Sequence, residues 1–136
     1  MGDFNARTQT LEDTLTKSKE DTSLPIQFYS KITSKRCNQD LTKNKYGQRL
    51  TEYCIASGMY IINGRTLGDR QGKKTCYQSN GASTVDYGIA SENMKNNIVK
   101  FEVMDPFISD HCPIKIEMRS KNIQGNKSVT STLPLP

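Results

Sequence analysis

Apolar positions are spread unevenly along the chain. Residues 8–45 are dominated by Thr, Ser, Lys, Asp and Asn, and only "PIQFY", Pro25 to Tyr29, breaks the run with apolar content. That stretch predicts a strand or a turn of helix around Ile26 to Ile32. So long a polar excursion in a compact domain is usually functional or mobile. The pattern then tightens. In "NKYGQRLTEYCIASG", Tyr46, Leu50, Tyr53, Cys54 and the small Ser57 fall on one side at helical spacing. A helix is expected over 46–57, with Asn44 as its cap and Gly58 as its left-handed stop. "MYIIN", Met59 to Asn63, is a continuous apolar run, the pattern of a short strand covered on both faces.

Further on, "TCYQ" and "STVDYGIAS" are joined by Ser79-Asn80-Gly81, a hairpin signal. "NIVKFEVM" sets Val99, Phe101 and Val103 against Lys100 and Glu102, a strand with one wet face. "HCPIKIEM" does the same with Cys112, Ile114, Ile116 and Met118. From residue 120 a polar tail ending in proline is expected to be disordered, leaving a domain over 1–119. The order of elements implies an α/β arrangement (an α+β sandwich): a mostly antiparallel sheet with a flanking helix. At least one sheet face is left looking for a partner layer.

Composition sharpens this picture. The 136 residues are only 34% apolar, contain no Trp and have a mean hydropathy of −0.68. That is poor material for a stand-alone core, and suits a fragment whose other half is absent. A net charge of +5 and a pI near 9.0 favour polyanionic partners. Cys37, Cys54, Cys76 and Cys112 form no CxxC or Cys/His cluster, so their spacing points to reduced thiols rather than zinc. No leader or bilayer-length apolar run is visible, which implies an intracellular chain without a membrane partner, the nucleus being one candidate compartment.

Three places carry chemistry. In Gly2-Asp3-Phe4-Asn5, side chains two apart on a strand share a face, so Asp3 and Asn5 would converge while Phe4 turns into the core. Their oxygens are hard ligands suited to Mg²⁺. Asp86, inside "TVDYGIA", is costly unless paired, or else lies at a solvated strand end. In Ser109-Asp110-His111, the only histidine of the chain follows an aspartate where a loop enters the last strand. Histidine is the side chain best placed to trade a proton near neutral pH. The stretch 64–74 adds Arg65, Arg70, Lys73 and Lys74 against Asp69. It reads either as a contact to the DNA backbone or as a solvated loop.

Taken in this order, the motifs resemble the endonuclease/exonuclease/phosphatase superfamily, the DNase I-like nucleases. The likeness is to the C-terminal half, and most of all to nuclease domains of non-LTR retrotransposons. Arg36, Asp40, Asn44, Gly47, Leu50, Cys54, "NGRTLGDRQGKKT" (Asn63 to Thr75), "DYGIAS" and "SDHCPI" extend it over 1–118. The resemblance implies part of a four-layer DNase I-like fold, and Mg²⁺- or Mn²⁺-assisted hydrolysis of DNA phosphodiesters. It gives Asp3 and Asn5 the placing of water, metal or phosphate, and Asp110 a part in metal binding or charge balance. His111 would contact the phosphate as base or electrostatic stabiliser, oriented by Asp86.

In the family, an N-terminal half supplies another metal-binding Asn, a metal-binding Glu and a second sheet. The resemblance implies that this half is absent from residues 1–136, so the chain alone is expected to be weakly active or inactive, and prone to associate. Its expected partners are DNA and the missing half. Three other readings remain open: a phosphatase of the same superfamily, a non-catalytic nucleic-acid-binding fragment, and a decayed retroelement product.

Overall fold

The computed structural model describes residues 1–14 and 35–120. The element expected around Ile26 to Ile32 and the expected disordered tail past Ser120 lie outside the described residues. In chain order the elements are β1 (Gly2–Asp3), α1 (Lys45–Ser57), β2 (Met59–Ile61), β3 (Cys76–Gln78) and β4 (Gly81–Ser83). They continue with β5 (Asp86–Tyr87), β6 (Ile89–Ser91), a 3-10 helix (Glu92–Asn97), β7 (Ile98–Val103) and β8 (Ile114–Met118).

The helix begins and ends where its caps place it. Asn44 stays extended, and its side-chain oxygen accepts from Gly47 N at 2.8 Å. Gly58, at φ 67°, returns its N–H to Cys54 O. The same Asn44 oxygen accepts from Arg7 N at 3.0 Å, tying the helix start to the N-terminal segment. The buried stripe is not the expected one, however: it consists of Gly47, Leu50, Thr51 and Cys54. Tyr46 and Tyr53 are 48% and 57% exposed. The cause is Gly47, where a Cβ would stand 1.8 Å from the Arg7 carbonyl oxygen. The helix lies on the Arg7–Thr8 backbone along its smallest edge, and the tyrosines rotate outward.

β2 pairs antiparallel with β6, and both faces are covered as its apolar run predicts. Ile61 joins Ala6, Leu50, Cys54 and Tyr87 on the helix side. Tyr60 and Ile62 join Ala90, Ile98, Phe101, Val103 and Cys112 on the other. Neighbouring residues of a strand point to opposite faces, so three consecutive side chains fasten two layers together. The outer layer on the second side is the antiparallel β7–β8 pair. A register shift between Ile98 and Lys100 changes its expected inward set. Ile98, Phe101 and Val103 are buried, while Val99 is only half-buried, because an extra residue in one strand puts the alternation out of phase. On β8, Ile114 and Ile116 pack inward and Met118 is exposed.

The run 81–91 is not one strand. It divides among three antiparallel partners, β4 with β3, β5 with β1, and β6 with β2. The hairpin register opposes Gln78 to Gly81, so Ser79-Asn80 is the loop and Gly81, at φ 140°, opens the second strand. The described residues form a mixed α+β fold of antiparallel strand pairs with one α-helix.

The ends of the polar stretch are packed rather than looped out. Thr8, Asp13, Arg36 and Asp40 are all buried. Arg36 donates to Thr8 Oγ1, Gln9 O and Leu11 O. Asp40 takes a double hydrogen bond from Arg7, at 2.9 and 2.7 Å, and also accepts from Thr84 N. Asp13 accepts from Ile61 N at 2.6 Å and from Arg65 Nη2 at 2.7 Å. Buried charge is tolerated only when paired and hydrogen-bonded, and these residues serve as internal fasteners. Arg65 therefore leaves the set of cations expected to meet DNA: only 4% of it is exposed.

Candidate active site

β1 and β5 place Asp3 directly opposite Asp86 in an antiparallel pair. Like charges facing across strands repel, and a cation between them would relieve that repulsion. His111 occupies that place. Its Nδ1 lies 2.9 Å from Asp86 Oδ2 and 3.1 Å from Oδ1, and its Nε2 lies 3.9 Å from Asp3 Oδ2. A carboxylate oxygen of Asp3, one of Asp86 and a ring nitrogen of His111 all fall within 4.8 Å of one another.

Each member is held from behind. Asp86 is 7% exposed, and its N–H donates to Thr75 Oγ1 at 3.1 Å. Its carbonyl accepts from Asn63 Nδ2 at 3.0 Å, while Asn63 Oδ1 takes the Gly88 N–H. His111 forms an isolated antiparallel bridge with Cys76. The flanking bonds Cys112 N to Thr75 O (2.7 Å) and Tyr77 N to Asp110 O (2.8 Å) clamp the segment onto β3. Asp110 is exposed, and its carboxylate accepts from Gln78 Nε2 at 3.1 Å.

The expected pairing of Asp3 with Asn5 takes another form. Strand geometry stops at Asp3, and Asn5 adopts φ 49°, the left-handed region that asparagine tolerates. The link runs through the backbone: Asn5 N donates to Asp3 Oδ1 at 2.8 Å, leaving Oδ2 toward the histidine. Phe4 does not enter the core as expected. It is 40% exposed and meets Tyr87 at a tilt of 59°, 6.1 Å between ring centres, because the strand is too short to carry the alternation onward.

The electrostatics follow from the geometry. The hydrogen bond that His111 makes to Asp86 raises the His111 pKa above its usual 6.5, against a smaller opposing effect of burial, and the charges of Asp3 and Asp110 add to the rise. Gln78 holds the Asp110 carboxyl below its usual value, with a further contribution from His111. Burial pushes the Cys76 thiol up, reinforced by Asp110, Asp86 and Asp3, so it stays protonated at neutral pH.

The sequence model of the endonuclease-reverse transcriptase family matches residues 1–115. The chain belongs to that family. It is an endonuclease/exonuclease/phosphatase-type domain, and no curated protein matches it. Within the endonuclease-reverse transcriptase frame, Asp3, Asp86, Asp110 and His111 gather around one imidazole, from three separate stretches of the chain. Thr75, Asn63, Gln78 and Ser109, whose hydroxyl accepts from His111 N at 3.1 Å, support them. Sequence reasoning missed these four as supports; the one signal for them is that each lies in or beside a quoted motif.

The donor set fits a hard divalent cation. Mg²⁺ keeps several waters and takes one or two carboxylates plus substrate phosphate. Asp3 Oδ2 makes no hydrogen bond among the described residues, and Asp110 is open to solvent. The described loop 64–74 is organised by buried Asp69, which accepts from Gly64 N and Lys73 N. It leaves Arg70 exposed, with Lys73 and Lys74 half-buried. Among the described residues no helix is long and apolar enough to cross a membrane.

Proposed function

We propose that the chain is a retrotransposon-type endonuclease domain that hydrolyses DNA phosphodiester bonds with the help of Mg²⁺ or Mn²⁺. The observation that carries this reading is the single histidine held between Asp86 and Asp3 with Asp110 alongside. Asp3, Asn5 and Asp110 would hold the ion, which neutralises charge on the phosphate oxygens. Asp86 fixes the His111 ring through Nδ1 and stabilises its protonated form, so that Nε2–H is free to donate to a phosphate oxygen. Asp3, through Oδ2, orients the attacking water. Arg70, Lys73 and Lys74 contribute sequence-independent attraction to the backbone. In this reading the domain is part of a four-layer sandwich. A preceding half supplies a further carboxylate and amide, and residues 1–136 cleave slowly without it.

The test is single-turnover nicking of supercoiled plasmid by excess purified chain, with Mg²⁺ or Mn²⁺. Slow nicking abolished by EDTA is expected, with His111→Ala and Asp3→Asn each falling by about 10²-fold or more. Absence of any EDTA-sensitive cleavage, or cleavage indifferent to both substitutions, overturns the assignment. DNA retention that ignores both changes with no cleavage would mark a binding module instead. Cleavage as fast as that of a complete homologous domain would refute the need for a further half.

A further inference from the structure

Seen from β3, His111 belongs to a second set of donors. Cys76 Sγ, a carboxylate oxygen of Asp110 and a ring nitrogen of His111 lie within 4.8 Å of one another. Cys76 is only 4% exposed, and its thiol has no hydrogen-bond partner among the described residues. Cys76 is remote in sequence from the adjacent pair Asp110 and His111, so the spacing of cysteines along the chain gives no hint of the cluster. The Cys76–His111 bridge alone brings them together.

Sulfur, imidazole and carboxylate together form a set that borderline and soft divalent ions take and Mg²⁺ does not. Around tetrahedral zinc, bonds of about 2.0–2.3 Å place ligand atoms roughly 3.5 Å apart. The cluster needs only a small closure to reach that spacing, which exposed Asp110 would make by giving up its bonds from Gln78 and Ser109. Asp86, bound to Nδ1, is an outer carboxylate that fixes the histidine ring. With three protein ligands, the fourth position is left for water.

We propose that Cys76, Asp110 and His111 form a binding site for a thiophilic divalent ion, Zn²⁺ or Cd²⁺, which withdraws His111 from phosphate chemistry. The binding stands independently of the nuclease reading; the inhibition rests on it. The probe is Cd²⁺ added to the full chain without DNA, followed by the ultraviolet thiolate-to-cadmium charge-transfer band. Wild type and Cys37→Ser, which removes the exposed thiol, should give a saturating band, and Cys76→Ser should lose it. Asp110→Asn, a surface change that leaves packing intact, should raise the half-saturating Cd²⁺ concentration by about tenfold or more. An unchanged band in Cys76→Ser, or unchanged affinity in Asp110→Asn, overturns the site. Loss of nicking on adding Zn²⁺ in wild type but not in Cys76→Ser supports the inhibitory role, and equal inhibition of both refutes it. Because the band is read without DNA, failure of the nuclease reading leaves this result standing.

Discussion

Thr75→Val isolates what holds the central aspartate in place. Thr75 is fully buried, and its hydroxyl oxygen accepts from the N–H of Val85 at 3.0 Å and of Asp86 at 3.1 Å. Valine keeps the shape and removes the acceptor, stranding two buried donors. Each costs about 1–3 kcal/mol when left unsatisfied, so the pair costs roughly 2–6 kcal/mol. The extra apolar burial of the new methyl returns only about 0.8 kcal/mol. Domains of this size are stable by about 5–15 kcal/mol, so the substitution removes a large share of the total. Thr75→Ser keeps the oxygen, loses one methyl and should cost about 1 kcal/mol. Urea denaturation followed by circular dichroism, with the slope unchanged, separates the two variants. Thr75→Val should also disturb the proton resonances of the sole histidine, since Asp86 loses the bond to its N–H. A Thr75→Val protein as stable as Thr75→Ser, or more so, would refute the reasoning.

Gly47→Ala should reverse the usual sign of a helical glycine replacement. Propensity favours alanine by about 1 kcal/mol, but the new Cβ would overlap the Arg7 carbonyl. Overpacking of that kind costs about 1–3 kcal/mol or more. A lower urea midpoint is expected, and a higher one would show that the helix does not rest on residues 7–8. The His111 pKa is raised by Asp86, so the stability this contact contributes is fully present below pH 6.5 and fades as pH rises through the folded value. Proton NMR titration of the single histidine should give a midpoint above 6.5 that falls in Asp86→Asn; a wild-type midpoint at or below 6.5 contradicts the pairing.

What the chain determines by itself is local. Asn44 and Gly58 mark the helix ends because capping involves hydrogen bonds across only three or four residues. The apolar run at Met59 to Asn63 announces a strand with two covered faces, and Cys76 to Ser83 announces a hairpin. Asp3 stands out by its spacing from Asn5, Asp86 by its place inside an apolar run, and Asp110 and His111 as an aspartate directly before the only histidine. Tertiary structure alone decides which helix edge is buried, through the close approach of Arg7 to Gly47. It also decides that 81–91 splits among three partners, and that Ile98 rather than Val99 turns inward. It draws Arg65 inside to meet Asp13, from the stretch that reads as a polar loop, and sets Cys76 against His111. Each of these outcomes depends on contacts between residues far apart in sequence. Their burial and pairing energies exceed the few tenths of a kcal/mol by which local preference distinguishes the alternatives.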